Sequence, residues 1–264
     1  MARIDGKTIW ITGASSGIGE ALTYLLDEKK CKIIISARRL NELQRVKNNC
    51  INKENISILE MDIAMIDMAK SKTSEAINTF GNIDILINNA GISQRSLIID
   101  TDISVDKKLM DVNYLGTVAL TKAILPFFVE NGSGHFVTVT SLMGKFGSPY
   151  RSGYCGAKHA LHGFFDVLRM EHEKDSIVVT LICPGFINTD VAKNALTGDG
   201  SVQEKNDTAT ANGISPKSFS IKMVKAIEKN KHEAYIGQKE KMGVYLKRFF
   251  PKLLHRVVLK STVK

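Results

Sequence analysis

Seven short runs dominated by apolar and β-branched residues recur along the chain, at 7–12, 32–37, 56–61, 83–88, 134–140, 177–183 and 233–236. They are mostly apolar rather than alternating, the pattern of parallel strands covered on both faces. Between them, helical spacing predicts helices over 17–29, 40–51, 65–80, 106–131, 152–174 and 217–230. This alternation predicts an α/β fold: one doubly wound, seven-stranded parallel sheet with helices on both faces, in a single domain over 1–238. The segment 195–215 breaks the rhythm. It is rich in Gly, Asn, Asp, Thr and Ser, and a polar stretch of that length between strand and helix reads as a mobile lid or binding loop.

The first strand run leads into Thr12-Gly13-Ala14-Ser15-Ser16-Gly17-Ile18-Gly19 at the start of a helix. Glycines there allow a tight turn and close approach to a pyrophosphate, whose charge the helix N-terminus attracts. The same letters satisfy Gly-x-Ser-x-Gly, with Ser15 as a hydrolase nucleophile. The early position of the turn and the lack of a His-Gly-Gly-Gly segment argue against that reading. After the second strand stands Ser36-Ala37-Arg38-Arg39, where a site preferring NAD would place an acid. Guanidinium groups there suit a 2′-phosphate, with Arg38 the main contact and Arg39 or Ser36 assisting.

With these motifs the chain resembles the short-chain dehydrogenase/reductase family over roughly 5–237. Asp62 and Ile63 match its adenine-binding position, and Asn88-Asn89-Ala90-Gly91 its segment after the fourth strand. Asn113 matches its catalytic Asn and Ser141 its serine, Tyr154 and Lys158 its Tyr-x-x-x-Lys, and Pro184-Gly185-Phe186-Ile187-Asn188-Thr189 its segment after the sixth strand. The resemblance implies a Rossmann-like fold and an NADP(H)-dependent carbonyl reductase or alcohol dehydrogenase. Its cofactor site would comprise Gly13, Ser15, Ser16, Gly17, Ile18, Gly19, Arg38, Arg39, Asp62, Ile63, Asn89, Ala90, Gly91, Tyr154, Lys158, Pro184, Gly185, Ile187 and Thr189. A second Tyr-x-x-x-Lys, Tyr235 to Lys239, closes the last strand run with no Ser upstream and reads as coincidence.

The resemblance assigns Tyr154 as general acid/base, Ser141 to the substrate oxygen, Lys158 to the nicotinamide ribose and Asn113 to a water relaying protons to Lys158. Tyr154 and Lys158, four apart on a helix, share a face. An ammonium nearby and the positive nicotinamide would pull the phenol below its usual value near 10. Positions expected to line the pocket are Ser93, Gln94, Met143, Phe146, Pro149, Tyr150, Phe186 and Val191, with Ser141, Met143, Tyr150 and Phe186 as substrate contacts. Most are apolar and none is a well-placed cation, so a lipophilic ketone, aldehyde or alcohol is expected. An NADP-binding regulatory or interaction protein on the same fold is the alternative. The intact Asn113, Ser141, Tyr154 and Lys158 speak against it.

Composition adds two points. The 44% hydrophobic and 24% charged content is that of an ordinary globule. The net charge of +9 is concentrated in 239–264, which carries +7, leaving +2 on the rest. In that tail Met242, Tyr245, Leu246, Phe249, Phe250, Leu253, Leu254, Val257 and Val258 recur at helical spacing, and Pro251 should kink or divide the helix. Such a basic amphipathic helix fits packing over the pocket or a partner, or peripheral membrane contact through residues 241–260. A nucleic-acid partner is not expected, because no DNA-reading module accompanies the charge. By resemblance the default assembly is a homo-oligomer, a dimer or tetramer paired through the two long helices. The four cysteines are scattered and His159, His162 and His172 lack further ligands, so neither disulfides nor a metal are expected. No leader reads before the first strand run, and no unbroken apolar run reaches the roughly 18 residues of a membrane span. A cytoplasmic location, peripheral to a membrane at most, is the expectation, so the Asn-x-Ser/Thr sequons carry no meaning.

Overall fold

The computed structural model describes residues 3–260, and in it the seven apolar runs form one parallel sheet. The strands are β1 (Thr8–Thr12), β2 (Lys32–Ala37), β3 (Ile56–Glu60), β4 (Ile85–Asn88), β5 (Gly134–Val139), β6 (Ile177–Pro184) and β7 (Glu233–Ile236). Their order is β3-β2-β1-β4-β5-β6-β7, so the winding reverses between β1 and β4. β4 starts two residues later than the apolar run because Asp84 is a cap: its carboxylate accepts from the Thr8 backbone amide at 2.8 Å and pairs with Lys7.

The helices are α1 (Gly17–Glu28), α2 (Leu40–Asn48), α3 (Ala69–Phe80), α4 (Ile103–Met110), α5 (Gly116–Glu130), α6 (Ser152–Glu171), α7 (Thr208–Ala211), α8 (Pro216–Glu228), α9 (Met242–Phe249) and α10 (Pro251–Lys260). Both faces of the sheet are covered, as the non-alternating strands require. On one face Leu22, Leu26, Leu43, Val46, Phe219 and Met223 form a fully buried layer. On the other, Leu120, Ile124, Phe128, Leu161 and Phe165 pack with Trp10 and Phe136.

The run expected as one helix over 106–131 is instead α4, a π-turn at Asp111–Leu115 and α5 in continuous succession. At 28 residues this composite is long and apolar enough to cross a membrane by length and composition, which the sequence reading had not recognised. In the folded chain its Leu120, Ile124 and Phe128 side chains lie in the second core layer. The unwound turn falls on Asn113, and insertions of this kind in helices often mark functional positions.

The segment 195–215 is more structured than its composition suggests. Leu196 bridges to Gln94 and Val202, Ile187 bridges to Ile214, and Asp207 starts α7 by accepting from the Thr210 amide at 2.7 Å. Asp207 is held in turn by Arg95 at 2.8 Å, with both side chains almost wholly buried. In this structure the segment is fastened to the body by an ion pair between residues 112 apart in sequence.

Pro251 divides the tail, opening α10 at its first position where its missing amide costs nothing. The tail packs back on the body: Leu254 is buried with Leu142, Phe146 and Cys183. Its only acid, Glu240, accepts from the Phe186 and Gln238 amides at 3.1 and 3.0 Å. A Cβ on Gly185 would lie 2.0 Å from that carboxylate, so the two positions are matched. The last residues of the expected helix, 261–264, lie outside the described residues. Glu240→Ala removes two charge-assisted bonds and should destabilise the chain by about 2 kcal/mol. Limited proteolysis should then cut within 239–260 faster than in the parent while the rest of the chain stays resistant. Equal cleavage rates would show that Glu240 does not hold the tail.

Candidate functional site

The reversal of strand order parts the loops after β1 and β4 and opens a crevice at the carboxyl ends of the strands. The β1 turn and the β4 exit are held tightly together at its base. Gly13 has φ +66°, and a Cβ on it would lie 2.7 Å from the Ala90 Cα. A Cβ on Gly19 would lie 2.4 Å from the Gly13 carbonyl oxygen, so α1 starts against its own turn. Asn89 completes the joint by donating its side-chain amide to the Thr12 and Gly13 carbonyls at 3.0 and 3.1 Å. Thr12 Oγ1 accepts from the Asn89 and Ala90 amides.

Ser16, at the start of α1, makes no side-chain bond to the helix. Free first-turn amides above a glycine turn suit the pyrophosphate of a dinucleotide. Thr189 reaches the same place from beyond β6, 3.2 Å from where a Gly17 Cβ would stand. Ile187, expected in the cofactor site, has its side chain in the first core layer.

At the adenosine end, Arg39 donates to the hydroxyls of Ser15 and Ser16, both at 3.0 Å. Arg38 is 62% exposed and lies 3.8 Å from Asp62, whose other oxygen accepts from the Ala64 amide. Ser36 does not share this edge. It is fully buried and accepts a hydrogen bond from the Trp10 indole, so it is removed from the set that could meet a phosphate.

The expected catalytic residues converge on the far side of the crevice. Lys158, on α6, is buried and donates to the Val139 carbonyl at 2.9 Å, two residues before Ser141. Its ammonium lies 5.8 Å from the centre of the Tyr154 ring. A Cβ on Gly91 would lie 2.8 Å from Asn113 Oδ1 and 3.5 Å from Lys158 Nζ, which places all three around one point. Asn113 spends both ends of its side chain on Ile92, accepting from its amide at 2.9 Å and donating to its carbonyl at 3.0 Å. Any service to a proton relay would therefore come from its main chain. Ser141 accepts from the Met143 amide at 3.1 Å, which fixes its hydroxyl at the end of β5.

The electrostatics differ from the simple expectation for Tyr154. Burial raises the phenol above its usual value; Ser141 as a hydrogen-bond partner, then Arg151 and Arg95 as charges, pull it down, while Cys155 opposes them. Two arginines therefore join Lys158, 5.8 Å from the ring centre, as cations near the phenol. Burial lowers Lys158 itself to about 8, so its ammonium is easily discharged above neutrality.

Phe146, Pro149 and Tyr150 line an apolar cleft of about 720 Å³, as expected of pocket residues, together with Leu97, Ile98 and the tail residues Leu254 and Val258. The cleft runs along the Ser152 and Cys155 side of α6. Ser141, Met143, Tyr154 and Phe186 are not among its walls, so it adjoins the expected catalytic residues rather than containing them. Tyr150 is held at φ +67°, a conformation costly for a bulky side chain, at the rim of this cleft. Ser93 and Gln94 are buried and bonded within the protein, not exposed to the cleft.

Among the described residues no group of three or more His, Cys, Asp or Glu side chains is placed to hold a metal ion. His162 meets Glu233 at 3.2 Å and His172 meets Asp175 at 2.7 Å. Tyr235, of the second Tyr-x-x-x-Lys, donates its hydroxyl to Glu233 and so serves the base of the tail. The sequence reading did not reach Arg95, Arg151, Asp207 or Glu240. Only Glu240 had a signal, as the one acid in a basic run.

The short chain dehydrogenase family model matches residues 7–199. A Drosophila melanogaster dehydrogenase/reductase SDR family protein 7-like is 38% identical over 268 aligned residues, covering 99% of this chain and 82% of the relative. Among solved structures, a short chain dehydrogenase/reductase from Burkholderia phymatum in complex with NAD superposes with a TM-score of 0.84 at 19% identity, covering 96% of both chains. A tyrosine-to-phenylalanine variant of ElxO with NADPH bound superposes at 0.67 with 27% identity, covering 70% of this chain and 75% of that one.

Proposed function

The chain belongs to the short-chain dehydrogenase/reductase family, and we propose that within it the protein is an NADP(H)-dependent oxidoreductase that interconverts a lipophilic carbonyl compound and its alcohol. The observation that carries the reading is the convergence of Ser141, Tyr154, Lys158 and Asn113 beside a glycine turn whose helix amides are left free. A nicotinamide cofactor would supply hydride transfer there, held by the Gly13–Gly19 turn, Asn89 to Gly91 and Lys158. Ser141 orients the substrate oxygen and stabilises charge on it. Tyr154 gives that oxygen a proton in reduction and takes one in oxidation. Because burial keeps the phenol protonated, reduction should persist into the alkaline range, whereas oxidation should rise with pH.

The preference for NADP(H) rests on Arg38 and Arg39 at the end of β2, where the sequence carries these cations in place of an acid for the ribose hydroxyls. The lipophilic class rests on the apolar cleft beside α6. We also propose that two copies pair through the long helices, where Leu115, Val167 and Met170 are exposed. The same applies to a peripheral bilayer contact: Phe249, Phe250, Val257 and Leu259 of the tail are exposed together with Ile98 and Ile99.

Three outcomes test these readings. Tyr154→Phe should lose at least a hundredfold in kcat on a panel of ketones and alcohols followed by NADPH absorbance, with NADPH affinity kept. Unchanged turnover would sink the mechanism. Arg38→Asp should cut the ratio of kcat/KM for NADPH over NADH by about 10- to 100-fold, the worth of one charged phosphate contact. A ratio that does not move would show that Arg38 does not read the phosphate. For the bilayer contact, truncation is unsuitable because Leu254 and Glu240 are built into the body. The full chain should float with anionic vesicles and the Lys252→Glu, Arg256→Glu, Lys260→Glu variant should not; identical behaviour removes the idea.

A further inference from the structure

The residues after Gly91 leave β4 as an extended connector wedged between two other segments. Gln94 bridges to Leu196 and Ser96 bridges to Arg151, so this connector touches both the substrate-side segment and the start of α6. The first turn of α6 has no cap of its own, since Arg151 at its boundary makes no side-chain bond to the helix. Gln94 supplies the cap from across the fold. Its Oε1 accepts from the Gly153 amide at 2.9 Å and the Tyr154 amide at 3.3 Å. Its Nε2 donates towards Ser96, Thr101 and Ser152 hydroxyls at 3.1 to 3.3 Å. Two backbone donors on one side fix which end of the carboxamide faces the helix. The side chain is completely buried, so no water replaces it.

The neighbouring side chain points the other way. Arg95 donates to Asp207 at 2.8 Å, and Arg151 lies 3.8 Å from the same carboxylate oxygen. All three side chains are nearly inaccessible, and the cluster holds two cations against one anion. Arg95 also donates to the Gln94 main-chain carbonyl at 2.7 Å, so the two arms meet in the backbone of the connector and not in the Gln94 side chain.

We propose that Gln94 is a positioning residue for the reaction: its carboxamide fixes the backbone of Tyr154 at the start of α6, while the next residue, Arg95, separately ties the same connector to Asp207 in the segment on the substrate side. This rests on the reading of Tyr154 as the acid/base. The groups that face Tyr154 are the Ser141 hydroxyl, the Cys155 thiol, the guanidinium groups of Arg151 and Arg95, and the Lys158 ammonium. A change in charge at position 94 would add to this set directly.

The test uses full-length Gln94→Met and Gln94→Glu beside Tyr154→Phe. It measures thermal melting, NADPH affinity, kcat and KM, and the titration of Tyr154 in ¹³C-tyrosine-labelled protein with and without NADP⁺. The Tyr154 resonance is assigned by its loss in Tyr154→Phe. Gln94→Met keeps the volume but drops the cap, and should lower kcat at least tenfold with NADPH affinity within twofold and a cooperative melt. Gln94→Glu still accepts from both amides, so it should recover most of that kcat. Its added negative charge should move the Tyr154 midpoint upward by half a pH unit or more. Gln94 variants matching the parent in kcat and in the Tyr154 titration, beside an inactive Tyr154→Phe, would overturn the proposal alone. Parallel loss of melting, cofactor affinity and kcat in both variants would overturn it too, by reducing Gln94 to a folding role. Full turnover in Tyr154→Phe would instead overturn the reading on which the proposal stands.

Discussion

The pairing of β1 with β4 is the constraint on which the rest of the site depends. Parallel strands need crossover connections, and winding outward in both directions from this pair leaves the loops after β1 and β4 facing one another across a crevice. Their closeness is set by backbone. The Gly13 and Ala90 main chains meet with no room for a side chain, and Thr12 and Asn89 use their polar groups to sew the two turns together. The first turn of α1 and the Gly91 side of the Asn113 and Lys158 pair are thereby presented to one space. A sheet built in any other order would scatter the same residues.

Two clusters of partly or wholly buried charge fasten loops to the body. Glu233 accepts from His162, Lys145 and Tyr235, and these partners hold its carboxyl down at about 2 despite burial. That network sits under the base of the tail, where Tyr235 also packs on Tyr245. Asp207 plays the corresponding part on the other side, joining the 195–215 segment to Arg95 and Arg151. Burying ions is costly unless they are paired and bonded, so such clusters specify one arrangement of loops more than they add stability. The segment expected to be a mobile lid or binding loop and the base of the tail are each anchored at a carboxylate in this way.

Tyr154 shows how packing changes the electrostatics of a side chain. Its spacing from Lys158 suggested that the ammonium tunes it, yet burial also weakens that ammonium, lowering it to about 8. Arg151, three residues earlier on the chain, and Arg95, which is far away in sequence, add their charges beside the phenol.

Much was legible in the sequence because it is local. Apolar runs of strand length fixed seven strands to within two residues at their ends, and the glycine turn, Arg38, Arg39, Ser141, Tyr154 and Lys158 all lie in short motifs whose spacing carries their meaning. The π-turn at Asn113 was not legible, since it interrupts an otherwise regular apolar period. Nor were Gln94, Arg95, Asp207 and Glu240, whose partners lie between 1 and 112 residues away with no periodicity to join them. Gln94 read as a pocket residue because its place after β4 was known and its direction was not. The sequence by itself determined the sheet, its layers and the motifs at its strand ends, because short-range pattern and backbone chemistry suffice for those. Only the tertiary structure decided which polar side chains are buried against which amides and charges, because that depends on contacts made after the chain has closed.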